Sequence, residues 1–93
     1  MEIRIDPHTL ERATERGTNP EEISDVISTG FSIPVKHGRI GKAKVYDFKR
    51  LRHNKYYEQK RVEVIFTLAG EVVITVTVYV FYGKWEEMHA DTL

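Results

Sequence analysis

Two runs in the second half of the chain constrain its fold most. Tyr56 to Leu68 and Val72 to Tyr82 are rich in Val, Ile, Thr, Tyr and Phe, and only Ala69-Gly70-Glu71 separates them. β-branched and aromatic residues suit a pleated, half-buried surface. A short glycine-containing break between two such runs predicts an antiparallel hairpin, here with a three-residue loop and glycine in a left-handed position. Pairing Leu68 with Val72 sets Phe66 against Ile74, Val64 against Val76 and Val62 against Val78, a continuous apolar face. A one-residue slip would mix that face with polar groups. The opposite face then carries Arg61 beside Tyr79, Glu63 beside Thr77 and Ile65 beside Thr75.

The first third reads as helical. Glu2 to Ile5 alternates Ile with charge, which suits a short edge strand. Asp6-Pro7 then supplies a cap and a first-turn proline. Leu10, Ala13 and Gly17 share a stripe at helical spacing, and Gly17 is the expected stop. A second helix starts at Asn19-Pro20, with Glu22 three residues after the cap as in a capping box. Ile23, Val26 and Ile27 form its apolar face, and Gly30 ends it. Between the helices and the hairpin, Phe31 to Lys42 contains Pro34, Gly38 and Gly41 and reads as a weak strand followed by a mobile basic loop. Lys44 to Phe48 reads as a short strand and Arg50 to Asn54 as a basic loop.

The expected architecture is therefore α+β: two N-terminal helices packed on one face of a curved antiparallel sheet dominated by a long C-terminal hairpin. At 93 residues there is room for one domain, expected over residues 1–83. Residues 84–93 are expected to form a frayed tail, with Trp85 and Met88 available for a contact. The chain has no internal repeat and no linker.

Composition narrows the chemistry. There is no cysteine, which removes disulfides, thiolate nucleophiles and cysteine zinc sites. His37, His53 and His89 lack ligand spacing, so neither a metal nor another cofactor is expected. Gly38-Arg39-Ile40-Gly41-Lys42 lacks the spacing and the Ser/Thr of a phosphate-binding loop. Met1-Glu2-Ile3-Arg4 lacks the apolar run of a signal peptide. The apolar-rich stretch Val72 to Phe81 is interrupted by threonines and is too short for a bilayer. The expectation is a cytoplasmic protein with no membrane partner.

Charge is neutral in sum and uneven along the chain. Residues 1–30 hold three Lys/Arg against seven Asp/Glu, residues 36–61 ten against two, and residues 62–93 one against five. A basic middle between acidic ends fits a polyanion-binding surface, or acidic helices neutralising basic strands. Exposed pairs of the second kind contribute only roughly 0–1 kcal/mol each, so the balance alone does not choose.

Three groups of residues can carry function. Arg61, Glu63, Thr77 and Tyr79 fall on one hairpin face. Cutting RNA without a metal needs a proton acceptor for the 2′-hydroxyl, a donor for the leaving oxygen and positive charge on the phosphate. Glu63, Tyr79 and Arg61 are of those types, with Thr77 to orient, although a solvated polar face is the ordinary fate of such residues. His8, Arg12 and Arg16 recur at helical spacing away from the apolar stripe, and His8 lies in the first turn, where the helix dipole discourages protonation. A helix packed on the apolar sheet face points His8 away from the polar one. The segment Lys49-Arg50-Leu51-Arg52-His53-Asn54-Lys55-Tyr56-Tyr57 mixes cations, which meet phosphates, with rings, which stack on unpaired bases. Lys42, Lys44, Lys49, Arg50, Arg52, Lys55 and Tyr57 are the candidate nucleic-acid contacts, the alternative being a basic surface loop.

His8-x-x-x-Arg12-x-x-x-Arg16-Gly17, then Glu21-Glu22-Ile23 with Val26-Ile27, then Thr75-Val76-Thr77-Val78-Tyr79 on the last strand, resembles the bacterial domain family numbered 4258 among domains of unknown function. The resemblance runs from about His8 to Tyr82. It implies the RelE, BrnT and colicin-nuclease type of fold, many of whose members cut RNA without metal and are toxins paired with an antitoxin. On that resemblance His8 and Arg12 match the N-terminal motif, and Thr77 and Tyr79 the last strand.

Three functions stay open at this point. The chain is a metal-independent endoribonuclease of toxin type, with RNA and an antitoxin as partners. Alternatively it is a non-catalytic module that binds RNA or protein through residues 36–61. A third reading is an interaction protein that forms a homodimer through a hairpin edge or Trp85.

Overall fold

The computed structural model describes residues 1–85. Its elements, in chain order, are β1 (Glu2–Arg4), α1 (Pro7–Arg16), α2 (Pro20–Thr29), β2 (Phe31–Ile33), β3 (Ile40–Arg52), β4 (Lys55–Ala69) and β5 (Val72–Gly83). The five strands form one sheet in the order β1-β5-β4-β3-β2. All neighbours are antiparallel except β1, which lies parallel to β5 over Val72 to Ile74. Both helices pack on one face of this mixed sheet, an α+β fold.

Local chemistry explains both helices. The Asp6 side chain accepts the Thr9 N–H at 3.2 Å and Pro7 follows it, so α1 starts where cap and proline place it. Gly17 ends it at φ +97°, and an added Cβ there would collide with the Tyr82 hydroxyl. Asn19 caps α2 through the Glu22 N–H at 2.8 Å. The Glu22 carboxylate does not complete a capping box; it accepts the Thr18 hydroxyl at 2.7 Å and meets Lys60 at 2.8 Å instead.

The core forms where the helices meet alternate strand residues. Ala13, Ile23, Val26 and Ile27 pack on Val62, Val64, Phe66, Val73 and Val78, all nearly inaccessible. Burying each of the larger aliphatic side chains contributes roughly 1.5–3 kcal/mol. In α1 the buried stripe is Thr9 and Ala13, while Leu10 is 40% exposed. The Leu10 stripe expected from periodicity is off by one position, because Thr9 faces β5.

The hairpins differ from expectation in register. Ala69 pairs with Val72, leaving a two-residue turn, Gly70-Glu71, in which Gly70 alone has positive φ. That is the pattern of a type II′ turn, whose twist suits paired strands. The pairing then shifts from Phe66↔Thr75 to Ile65↔Thr77, so Val76 is a bulge residue. Beyond the bulge Val64 faces Val78, Glu63 faces Tyr79 and Arg61 faces Phe81. Thr75, expected on the polar face, is buried under the helices. Its hydroxyl accepts the Asp6 N–H and donates to the Asp6 carboxylate, both at 3.1 Å.

The region expected as a short strand and a basic loop is one long strand. β3 runs to Arg52, with an irregularity between Asp47 and Arg50 where Lys49 adopts positive φ. It returns through His53-Asn54, both at positive φ as a type I′ turn requires. The resulting β3–β4 arm extends past the end of β5. Of the tail expected over 84–93, Lys84 and Trp85 are described, and Met88 and His89 lie outside the described residues. No helix among the described residues is long and apolar enough to cross a membrane.

Candidate functional site

Strand alternation sorts β4 into two faces. Val62, Val64 and Phe66 turn to the helices, and Arg61, Glu63 and Ile65 turn away, onto a face that no helix covers. On that face Glu63 sits between Ala43 of β3 and Tyr79 of β5, and Arg61 between Val45 and Phe81. Arg61 Nε lies 2.9 Å from Glu63 Oε2. Thr77 lies on the same face, opposite Ile65, one pair nearer the β4–β5 turn. The structure thus brings Arg61, Glu63, Thr77 and Tyr79 to one surface.

Three rings frame this group. Phe31, Tyr79 and Phe81 are 38%, 42% and 48% exposed. The Arg61 guanidinium lies 5.3 Å from the Phe31 ring centroid, and Tyr79 stacks beside Phe81 at 6.4 Å. A second cation arrives from the helical side. α1 runs parallel to β5, tied at its start to Thr75 through Asp6 and at its end to Tyr82, whose hydroxyl donates to the Arg16 carbonyl at 2.7 Å. From its last turn Arg16 passes the strand edge, donates to the Val78 carbonyl and sets its guanidinium 5.2 Å from the Tyr79 ring centroid.

His8 and Arg12 are not drawn into this group. They precede Arg16 on the same helical stripe, but Arg12 is held by Glu15 at 3.0 Å. His8 is exposed and has no side-chain hydrogen bond among the described residues. The sequence motif therefore contributes its last member, Arg16, rather than its first two. Arg16 was visible in the spacing; the roles of Phe31 and Phe81 were not, since they rest on pairing across three strands.

The basic segment divides by task. Lys44 donates to Asp25 at 2.7 Å and to Thr29 at 2.8 Å. Lys60, 6% exposed, meets Glu22 and donates to the Gly17 carbonyl at 2.9 Å. Arg52 donates to the Glu15 carbonyl at 3.0 Å. Cations at a helix C-terminus offset its unpaired carbonyls and dipole, so Lys60 and Arg52 hold α1 in place. Neutralisation of acidic helices by basic strands accounts for Lys44 and Lys60. Lys49 lies a loose 3.9 Å from Asp47, and Lys42, Arg50 and Lys55 have no carboxylate partner among the described residues. Arg50 stacks over Phe48 at 4.7 Å and Lys55 over Tyr57 at 5.6 Å.

Asp25 is the most perturbed acid. The Lys44 ammonium, then the Tyr46 hydroxyl at 2.6 Å, lower its pKa to about 2. Burial, reinforced by that carboxylate, pushes the Tyr46 phenol up. This network ties α2 to β3 and lies on the helical side, away from the open face. No three His, Asp or Glu side chains converge as metal ligands among the described residues.

No protein-family model matches the chain, and neither a curated protein nor a solved structure matches it. What the geometry defines is an α+β protein with one helix-covered and one open sheet face, the latter carrying Arg61, the guanidinium of Arg16, three rings and the Glu63 carboxylate.

Proposed function

We propose that the open face binds single-stranded RNA and cuts it without a metal ion, as a small toxin-type ribonuclease of the kind that the resemblance to the family numbered 4258 and the RelE-like group implies. The observation that carries this reading is the direct pairing of Glu63 with Tyr79 between Arg61 and Arg16. Side chains on directly opposed residues start about 5 Å apart, a span that fits an acceptor and a donor on either side of one phosphate. Glu63 takes the proton of the ribose 2′-hydroxyl, and the freed oxygen attacks phosphorus. The bond to the 5′-oxygen breaks, and that oxygen takes a proton from Tyr79. The products are a 2′,3′-cyclic phosphate and a 5′-hydroxyl; water returns the proton from Glu63 to Tyr79. Arg61 and Arg16 face the charge that builds on the phosphoryl oxygens, and the three rings offer stacking surfaces to flanking bases.

The test is cleavage of a single-stranded RNA by purified protein in EDTA, alongside growth and total RNA integrity on induced expression in a bacterial host. The expected outcome is growth arrest and fragments ending in cyclic phosphate. Glu63→Gln should slow cleavage by about a hundredfold or more, and Arg61→Ala should relieve toxicity in a folded protein. An antitoxin would then be an acidic partner that covers the open face. Intact RNA and normal growth with folded protein would overturn cleavage. Retained toxicity in both Arg61→Ala and Tyr79→Phe would overturn the residue roles.

A second reading, a non-catalytic RNA-binding module, is favoured by one observation. The exposed rings and two arginines suffice for stacking and phosphate contact without any proton transfer. It predicts salt-dependent binding, weakened by charge reversal at Lys49, Arg50 and Arg52, with no cleavage.

A further inference from the structure

Pairing between β4 and β5 ends at Gln59↔Gly83, whereas β3 and β4 continue to Arg52↔Lys55. The step between them is a cleft of about 360 Å³ lined by Lys55–Glu58 of β4 and by Tyr82–Lys84 at the end of β5. That size falls at the small end of ligand sites, roughly 300–1,000 Å³. Its lining combines three tyrosines, two lysines and one carboxylate. Lys55, Lys84 and Glu58 form no ion pair among the described residues.

The wall is fixed before any ligand arrives. The Tyr82 ring lies 5.1 Å from Phe48 and 5.4 Å from Tyr57, with the Arg52 guanidinium 4.9 Å from its centroid. Its hydroxyl is anchored on the last turn of α1. A ring held by these neighbours loses little further freedom when a planar group packs against the part that lines the cleft. Tyr56, 50% exposed, is a second ring at the same cleft. Two unpaired ammonium groups suit phosphate, and the Glu58 carboxylate can accept from a base amino group.

We propose that this cleft binds one unpaired nucleotide of an RNA strand, its base against the tyrosines and its phosphate met by Lys55 and Lys84. The proposal rests on RNA as the ligand of the open face, but not on cleavage there. The cleft lies at the end of β5, the strand that also carries Tyr79. A nucleotide held in it adds a second anchor to a strand crossing the open face, so the protein grips unpaired RNA and not duplex.

The test is titration of the full chain with AMP, CMP, GMP and UMP, and separately with inorganic phosphate, read by amide chemical shifts. Anisotropy of a labelled single-stranded RNA and of a matching duplex completes it. The four nucleotides should shift Lys55–Glu58 and Tyr82–Lys84, and phosphate alone should shift them less. Tyr56→Ala should weaken single-strand binding roughly fivefold to a hundredfold. The double variant Lys55→Gln, Lys84→Gln should reduce the slope of log affinity against log salt by about 0.7, one neutralised phosphate's worth for a single strand. These residues lie outside the core, so the variants should fold as wild type does. Absent shifts with all four nucleotides, an unchanged salt slope, equal affinity for duplex, or displacement of RNA by an acidic peptide seated in the cleft would each overturn the proposal. Nucleotide shifts at the cleft in a protein that cuts no RNA would support the cleft while overturning cleavage. Cleavage with a silent cleft would do the reverse.

Discussion

Arg16 Nη1 lies 2.7 Å from the carbonyl oxygen of Val78, and the same guanidinium covers the ring of Tyr79. One side chain therefore does two things at the free edge of β5, which β1 pairs only as far as Ile74. It occupies an edge carbonyl, and it limits where the Tyr79 ring can go. Arg16→Met keeps most of the stem and removes both interactions. A hydrogen bond from a charged group contributes roughly 1.5–3 kcal/mol; Arg16 is half-buried, so the expected loss is about 1–2 kcal/mol by urea unfolding. Arg16→Lys should recover part of that loss but not the flat contact with Tyr79. A wild-type midpoint in Arg16→Met would show that the edge does not need this contact.

Lys60 and Glu22 form the most enclosed ion pair, with side chains 7% and 23% exposed. Lys60 also holds the Gly17 carbonyl at the end of α1. Removing the cation leaves the Glu22 carboxylate with only the Thr18 hydroxyl and the Gly17 carbonyl without its side-chain donor, so Lys60→Met should cost about 2–3 kcal/mol, just below the range for breaking a fully buried pair. Lys44→Met, which breaks a much more exposed pair, should cost clearly less. Equal losses in the two variants would mean that burial does not set the difference.

The candidate face was legible in the sequence for a reason that owes something to parity. The expected hairpin pairing was wrong by one residue at the turn, where Ala69 joins the strand. It was wrong by one more at Val76, which bulges. The two errors add to an even shift, so Arg61, Glu63, Thr77 and Tyr79 stay on one face while each changes its partner. From Val72 to Val80 every even position is aliphatic, before and after Val76 alike, so no break in the alternation marks a bulge. The signal lies far away, in Asp6, whose amide and carboxylate need the Thr75 hydroxyl. Helix ends were legible because caps and prolines act locally. The β3–β4 arm was not. Its strand character depends on pairing across the His53-Asn54 turn and on rings that meet residues of another strand, Phe48 on Tyr82 among them.

Asp25 gives the molecule an acid-sensitive tie between α2 and β3. Its carboxyl, ordinarily near 3.8, is lowered to about 2 by Lys44 and then Tyr46. A group whose pKa is lower in the folded state stabilises that state above its ordinary pKa and loses the contribution as pH falls through the folded value. The midpoint difference between wild type and Asp25→Asn should be full near neutrality, shrink from about pH 3.8 and be mostly lost by about pH 2, where the folded-state carboxyl is half protonated. Other carboxylates titrate in both proteins, so the difference isolates this one. A difference that stays constant down to pH 2 would mean that Asp25 does not hold its charge through Lys44 and Tyr46.

Tyr79 separates chemistry from binding on the open face. Its ring is a stacking surface beside Phe81, and its hydroxyl is the proposed proton donor to the leaving 5′-oxygen. Tyr79→Phe keeps the ring and removes the proton. Binding of a single-stranded RNA should hold within about twofold, because stacking depends on the ring face. Cleavage should fall by about a hundredfold, the lower end of what a positioned acid contributes. A ribonucleoside 3′-phosphate ester with a nitrophenolate leaving group needs no protonation, so on that substrate the variant should approach wild-type rate. Glu63→Gln should be slow on both substrates, since the 2′-hydroxyl must lose its proton in either case. If Tyr79→Phe is equally slow on both, the hydroxyl is not the acid. If it cuts RNA at full rate, Tyr79 serves this face as a ring alone.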